Sequence, residues 1–141
     1  MGPYDFQNLV ADLLRAMGYY VDWVAPPGKD GGFDILAYCD PLGTKVPRIR
    51  VQVKRQQSRV SVEAVRSFLG VLPVHDVGIF VSTSGFTRDA SNEARSQHKH
   101  NVTLIPLERL FDLWVAHYDQ LSDSGRGRMR LSPVHFLAPQ E

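Results

Sequence analysis

The sequence predicts an α/β domain, a central mixed β-sheet of about five strands flanked by helices on both faces. Three observations carry this. Five short aromatic, β-branched or apolar runs are interleaved with four stretches whose apolar residues recur at helical spacing. The second and third runs are joined only by Asp40-Pro41-Leu42-Gly43-Thr44-Lys45, turn chemistry that makes them an antiparallel hairpin. After the hairpin the order becomes helix, strand, helix, strand, helix, which supplies strand–helix–strand units and hence a mixed sheet.

The elements follow in order. From Tyr4 to Met17, Phe6, Leu9, Val10, Leu13, Leu14 and Met17 mark one face of a helix, with Asp5 in the first turn and Gly18 as its stop. Tyr19 to Val24 is aromatic and β-branched, a strand ended by Pro26-Pro27-Gly28. The hairpin strands come next, with Pro47 marking the start of the second. Ser61 is placed to cap a helix whose apolar face is Val62, Val65, Phe68, Leu69 and Leu72, with Pro73 at its end. Val77-Gly78-Ile79-Phe80-Val81 is a nearly continuous apolar run, the pattern of a strand covered on both faces. Thr87 caps a polar helix running to about Gln97 with Ala90 and Ala94 inward, and Val102 to Ile105 is a last strand closed by Pro106. Leu107, Leu110, Phe111, Trp114, Val115 and Tyr118 define a final amphipathic helix, the aromatics being core or interface. Residues 1–121 are expected to form the domain and 122–141 a flexible or peripherally packed tail.

With 141 residues, 43% apolar and 22% charged, the chain has the composition of one globular domain with a real core. Its apolar runs fall far short of a membrane span and nothing at its start reads as a leader, so no membrane partner is expected and the expected location is the cytoplasm. A single cysteine, Cys39, excludes an intramolecular disulfide and a cysteine-built zinc site, and is expected to be a small buried hydrophobe. The five histidines show no metal-ligand spacing, and His98-x-His100 reads as a polar turn. A net charge of +1 does not announce a nucleic-acid binder, but Lys45, Arg48, Arg50, Lys54, Arg55 and Arg59 form a basic stretch without an acidic residue among them.

A hairpin centred near Gly43 sets Asp34 opposite Gln52, and the strand period of two adds Lys54 to the face of Gln52 while Val51 and Val53 point into a core. One carboxylate, one amide and one amine then converge at a sheet edge, beside a glycine-rich loop that lets backbone approach a ligand. A one-residue slip would undo this arrangement.

Phe6 through Tyr19, Asp30-Gly31-Gly32-Phe33-Asp34, Val51-Gln52-Val53-Lys54-Arg55 and Val81 through Thr87 occur in the order of the Mrr-type catalytic domain, which the chain resembles over residues 4 to 115. That domain is a branch of the PD-(D/E)XK, restriction-endonuclease-like nucleases in which Gln replaces the second acid. The resemblance implies a divalent-metal-dependent DNA endonuclease, often fused to a DNA-recognition domain. Several members restrict modified DNA, so type IV-like restriction is the expected role.

Phosphodiester hydrolysis needs a hard cation, and Mg2+, for which Mn2+ can substitute, accepts a few oxygen ligands and keeps several waters. Asp34, the Gln52 side chain and the Val53 carbonyl are the expected ligands, with Lys54 orienting the water or stabilising charge that develops on the phosphate. The family has Glu after the first-helix Phe, where it helps position water; here Gln7 stands there as the candidate catalytic residue with Asp34, Gln52 and Lys54, which leaves Asp34 the only well-placed carboxylate unless Asp30 or Asp5 assists. Lys29, Arg55, Gln56, Ser58 and Arg59 are candidate contacts to double-stranded DNA, as are Thr83, Ser84, Thr87 and Arg88 at a helix N-terminus. Cutting both strands calls for two copies, so a homodimer is expected. With Gln7 and Gln52 in place of acids, the alternatives are a catalytically silent DNA-binding or assembly module of the same fold, or a repair or junction nuclease.

Overall fold

A computed structural model describes residues 2–26, 32–96 and 101–132. Lys29, Asp30, His98, His100, His135 and the rest of the last nine residues lie outside these. Helix α1 (Pro3–Ala16) opens with proline in its first turn, and the Asp5 carboxylate accepts the Gly2 N–H at 3.3 Å. Five strands, β1 (Tyr20–Val24), β2 (Ile35–Tyr38), β3 (Ile49–Lys54), β4 (Val77–Ser82) and β5 (Asn101–Pro106), form one sheet in sequence order. β1, β2 and β3 are antiparallel neighbours, whereas β3, β4 and β5 run parallel. The crossovers are α2 (Val62–Val71) and α3 (Arg88–Ser96), and α4 (Leu107–Ala116) follows β5 directly.

The helices divide between the two faces as the apolar pattern demands. Ile49 and Val51 of β3 join Ile35, Ala37 and Val81 in a core covered by α1 and by Leu110 and Trp114 of α4. Phe80 faces the other way, packed with Val60, Val65, Phe68, Leu69 and Ala90 under α2 and α3. Gly78 lets α2 come close, because a Cβ there would lie 2.7 Å from the Phe68 ring. Ser61 and Thr87 cap α2 and α3, accepting the Ala64 and Ala90 N–H groups at 3.3 and 3.1 Å.

The hairpin turn is fixed by one side chain. Asp40 accepts the Thr44 hydroxyl at 2.7 Å and the Thr44 and Lys45 N–H groups at 3.0 and 3.1 Å, and these donors hold its pKa below the usual carboxylate value. Gly43 takes φ +67° there, with the Tyr38 ring occupying the space a Cβ would need. The resulting register pairs Ile35 with Val51, Leu36 with Arg50 and Ala37 with Ile49, the spacing expected for a turn centred at Gly43.

Cys39 departs from expectation. It is exposed, because it lies just beyond the end of β2 in the turn, where its thiol donates to the Pro47 carbonyl at 3.3 Å. The described part of the C-terminal segment is packed: α5 (Asp123–Arg126) lies against α1, Arg128 pairs with Asp12 at 2.5 Å, and Trp114 Nε1 donates to the Met129 carbonyl at 2.8 Å.

Candidate active site at the end of the central strand

The site forms where the antiparallel half of the sheet runs out. Val77 takes the Arg48 carbonyl and Thr83 takes the Lys54 carbonyl, so the even-numbered residues of β3 spend their backbone groups on β4. The odd-numbered ones face β2, whose ladder stops at Ile35 opposite Val51. Asp34 closes the gap: its N–H donates to the Val51 carbonyl at 2.8 Å, and its Oδ2 accepts the Val53 N–H at 2.7 Å. A side chain thus completes the ladder where a strand residue is missing, fixing the carboxylate at the end of β3.

From the opposite side of the carboxylate, Gln7 Nε2 on α1 donates to Asp34 Oδ1 at 3.1 Å. An ionised carboxylate only accepts, so the amide must present its NH2 to Asp34 and turn its carbonyl away. That carbonyl, Gln7 Oε1, is buried without a hydrogen-bond partner. Burial raises the Asp34 pKa above its ordinary value, against the opposing pull of the Val53 N–H and the Lys54 charge.

Lys54 and Gln52 lie on one face of β3 with Arg50, each half-buried, at the register of Ser82 and Phe80 on β4. The Lys54 charge reaches Asp34, but among the described residues Lys54 closes no ion pair and Gln52 makes no hydrogen bond. The β2–β3 register runs on toward Asp34 opposite Gln52 as expected, but the hydrogen bonds to the Asp34 carboxylate come from Gln7 and the Val53 N–H, and among the described residues none comes from Gln52. Gln7, a candidate from the sequence only if the first helix crosses the site, is brought by α1 into direct contact with Asp34. Among the described residues no cluster of three His, Cys, Asp or Glu side chains is placed to hold a metal. Asp5 is exposed and serves the start of α1.

The oxygens that are present fit a hard cation nevertheless. Asp34 retains lone pairs on both oxygens, and Gln7 Oε1 is a desolvated acceptor that nothing among the described residues satisfies. A magnesium-like ion that keeps most of its waters needs no more than one or two such protein ligands.

The loops after β3 and β4 form one unit. Ser84 Oγ donates to the Ser58 carbonyl at 2.5 Å, Thr83 Oγ1 to the Gln56 carbonyl at 3.4 Å, and Gln56 Nε2 to the Ser58 carbonyl at 2.8 Å. A parallel bridge joins Val60 to Phe86, and buried Ser82 donates to the Gly85 carbonyl at 3.0 Å. Thr83, Ser84 and Thr87 therefore spend their hydroxyls on this double loop and on the α3 cap. Arg55, Arg59 and Arg88 stay exposed on it, at the edge of the sheet that carries Lys54. Ser82 escaped sequence reading; its one trace is a polar residue ending an apolar strand. No helix among the described residues is long and apolar enough to cross a membrane.

Comparison with known proteins bears on the family and the fold. The chain is 33% identical over 121 residues to the type IV methyl-directed restriction enzyme EcoKMrr of Escherichia coli K12, covering 82% of this chain and 38% of that protein. In fold it is similar to the MspJI restriction endonuclease solved with a 27-mer oligonucleotide, at TM-score 0.64 and 24% identity over 89% of this chain and 32% of that one. The DNA modification-dependent restriction endonuclease AspBHI gives TM-score 0.67 and 19% identity, covering 90% and 35%. The chain thus spans 38%, 32% and 35% of the length of these three proteins. A family model of the Mrr catalytic domain, described as restriction endonuclease, matches residues 1–114. Most of the chain is accounted for by that match and by a fold those nucleases share, and the chain belongs to the Mrr catalytic-domain family of restriction endonucleases.

Proposed function

We propose that this domain hydrolyses phosphodiester bonds in double-stranded DNA with a divalent cation, Mg2+ or Mn2+, as the cutting module of a system that restricts modified DNA. The observation that carries the reading is the Asp34 carboxylate, half-buried, gripped by the Val53 N–H and Gln7 and faced by the uncommitted charge of Lys54. A cation bound there by Asp34, with Gln7, Gln52 and the Val53 carbonyl as further oxygen donors, would polarise the phosphate and acidify an attacking water.

The chain's own residues supply the rest. Asp34 is held rigidly by two donors, so no reorganisation is needed when the substrate arrives. The Lys54 ammonium offers three donors to charge that builds on the phosphate oxygens. Arg55, Arg59 and Arg88 attract the backbone of the duplex to the same edge, and such contacts position DNA without reading its sequence. Recognition of the modified base would fall to a fused or separate module, in keeping with relatives much longer than this chain.

Cleavage of methylated and unmethylated plasmid with magnesium or manganese tests this. Cutting should vanish with EDTA and fall steeply in Asp34→Ala and Lys54→Ala; full activity in Lys54→Ala would overturn the assignment. A second reading, a silent DNA-binding or assembly module, is favoured by the amides Gln7 and Gln52, which leave Asp34 the one carboxylate of the group. Calorimetry decides between them: DNA affinity without any magnesium binding, with DNA present or absent, supports the silent module.

A further inference from the structure

Phe6, Leu9, Val10, Leu13 and Leu14 bury the inner face of α1 in the core. Apolar burial is non-directional, so it does not by itself dictate the roll of the helix about its axis. Directional contacts do, and two of these tie α1 to distant parts of the chain. Gln7 donates to Asp34 at 3.1 Å, and Asp12 accepts from Arg128 Nε at 2.5 Å. At about 100° per residue, Gln7 and Asp12 lie roughly 140° apart round the helix, with the apolar residues named above in the wider arc between them. Any roll of α1 moves both contacts at once.

The Asp12 contact comes from a strap built after α4. Arg126 donates to the Tyr118 and Asp119 carbonyls at 3.1 and 2.9 Å, and its guanidinium lies over the Tyr118 ring at 5.6 Å. The Leu131 N–H donates to the Tyr118 hydroxyl at 3.2 Å, and the Met129 carbonyl accepts the indole N–H of fully buried Trp114. Buried Gly125 seats α5 on Asp12, since a Cβ there would lie 3.5 Å from the Asp12 Cβ. Both Asp12 oxygens are engaged, Oδ2 by Arg128 and Oδ1 by Arg15 at 3.0 Å. Arg15 is three residues away on the same helix and half exposed, so it ties α1 to nothing else; Arg128 ties it to the strap. The match to the Mrr catalytic-domain model ends at residue 114, and Arg128 lies outside the stretch it covers.

We propose that Arg128 is a positioning residue for the candidate active site: through Asp12 it sets the roll of α1 and keeps the Gln7 amide seated on the Asp34 carboxylate. The seating is independent of any activity. Its effect on a bound cation rests on the nuclease reading, in which Asp34 and Gln7 Oε1 would be oxygen donors to one ion.

The test reads Gln7 first and the ion second. In proton–nitrogen NMR spectra of the full chain, the Gln7 side-chain NH2 pair is identified by its loss in Gln7→Ala. It should shift toward the position of a solvent-exposed amide in Arg128→Ala. Asp12→Asn, which keeps the shape and removes the charge, should shift it the same way. Asp76→Ala, which strands the Arg50 charge on the other face of the sheet, should leave it in place and so separates positioning from a general loss of stability. Magnesium affinity, measured by calorimetry with the ion alone, should fall about tenfold in Arg128→Ala and should not fall further when Gln7 is already replaced by alanine. A Gln7 signal unmoved in both Arg128→Ala and Asp12→Asn overturns the proposal. So does an equal shift in Asp76→Ala, or an equal fall in affinity in the Gln7→Ala background. A shifted Gln7 signal in a chain that binds no magnesium, with or without DNA, leaves the positioning standing and removes the nuclease reading instead.

Discussion

Two carboxylates approach β3 from opposite ends and meet different fates. Asp76, 8% exposed at the start of β4, closes on Arg50 Nε at 2.5 Å, and the Arg50 guanidinium lies over the Phe33 ring at 5.0 Å. Asp34 is held by two neutral N–H donors, and its cation, Lys54, stands near without closing a pair. Arg50 and Lys54 are four residues apart on one face of the strand, a separation of about 13 Å. The first pair is a finished interaction, with desolvation offset by direct contact. The second leaves a half-buried carboxylate short of positive charge, next to the unsatisfied Gln7 carbonyl. Saturated charge belongs to the scaffold; charge left open is what a cation and a phosphate can complete.

Substitutions can break that contrast, beginning with the largest effect. Asp34→Ala or Lys54→Ala should lower the rate of plasmid cleavage by about 10²–10³-fold while the protein stays folded. Asp76→Ala should do the reverse. It strands the Arg50 charge and should cost about 3 kcal/mol in urea denaturation, with cleavage per folded molecule intact. Equal loss of activity in Asp76→Ala at a temperature where it remains folded would erase the distinction.

Gln7→Glu sharpens it. A second carboxylate beside Asp34 should raise magnesium affinity about tenfold by calorimetry, and lower stability in the absence of the ion through like-charge repulsion. Smallest is Asp34→Asn. Because folding raises the Asp34 pKa, the native state holds that proton more tightly than the unfolded chain does. The associated stability is present at low pH and lost as pH rises through the raised pKa. Asn removes the charge, so melting near neutral pH should improve by under about 1 kcal/mol and its acid-range slope should flatten, with cleavage abolished. A steeper slope in Asp34→Asn would contradict the assigned cause.

Much of this was legible in the chain because the signals are local. Ser61 and Thr87 cap helices where a hydroxyl precedes an apolar or small-residue period, and Asp40-Pro41-Leu42-Gly43 set the hairpin register by its own hydrogen bonds. Cys39 was misjudged because burial of one residue at a strand end depends on where the turn leaves the sheet. The hydroxyls of Thr83 and Ser84 resembled an anion site, yet their partners are carbonyls some 26 residues away on the neighbouring loop. Arg128 gave no hint of Asp12, since a pair separated by 116 residues leaves no periodic trace.

The sequence alone determined the layered α/β architecture, the hairpin register and the family, because periodicity, turn chemistry and ordered motifs are written along the chain. Tertiary structure alone decided that the β2 ladder ends one residue early, so that Asp34 completes it through the Val53 N–H. It also decided that α1 lays Gln7 against that carboxylate with one oxygen left unsatisfied. Both depend on how helix and strands from distant stretches pack, and desolvation is a property of the folded interior that no single stretch of sequence carries.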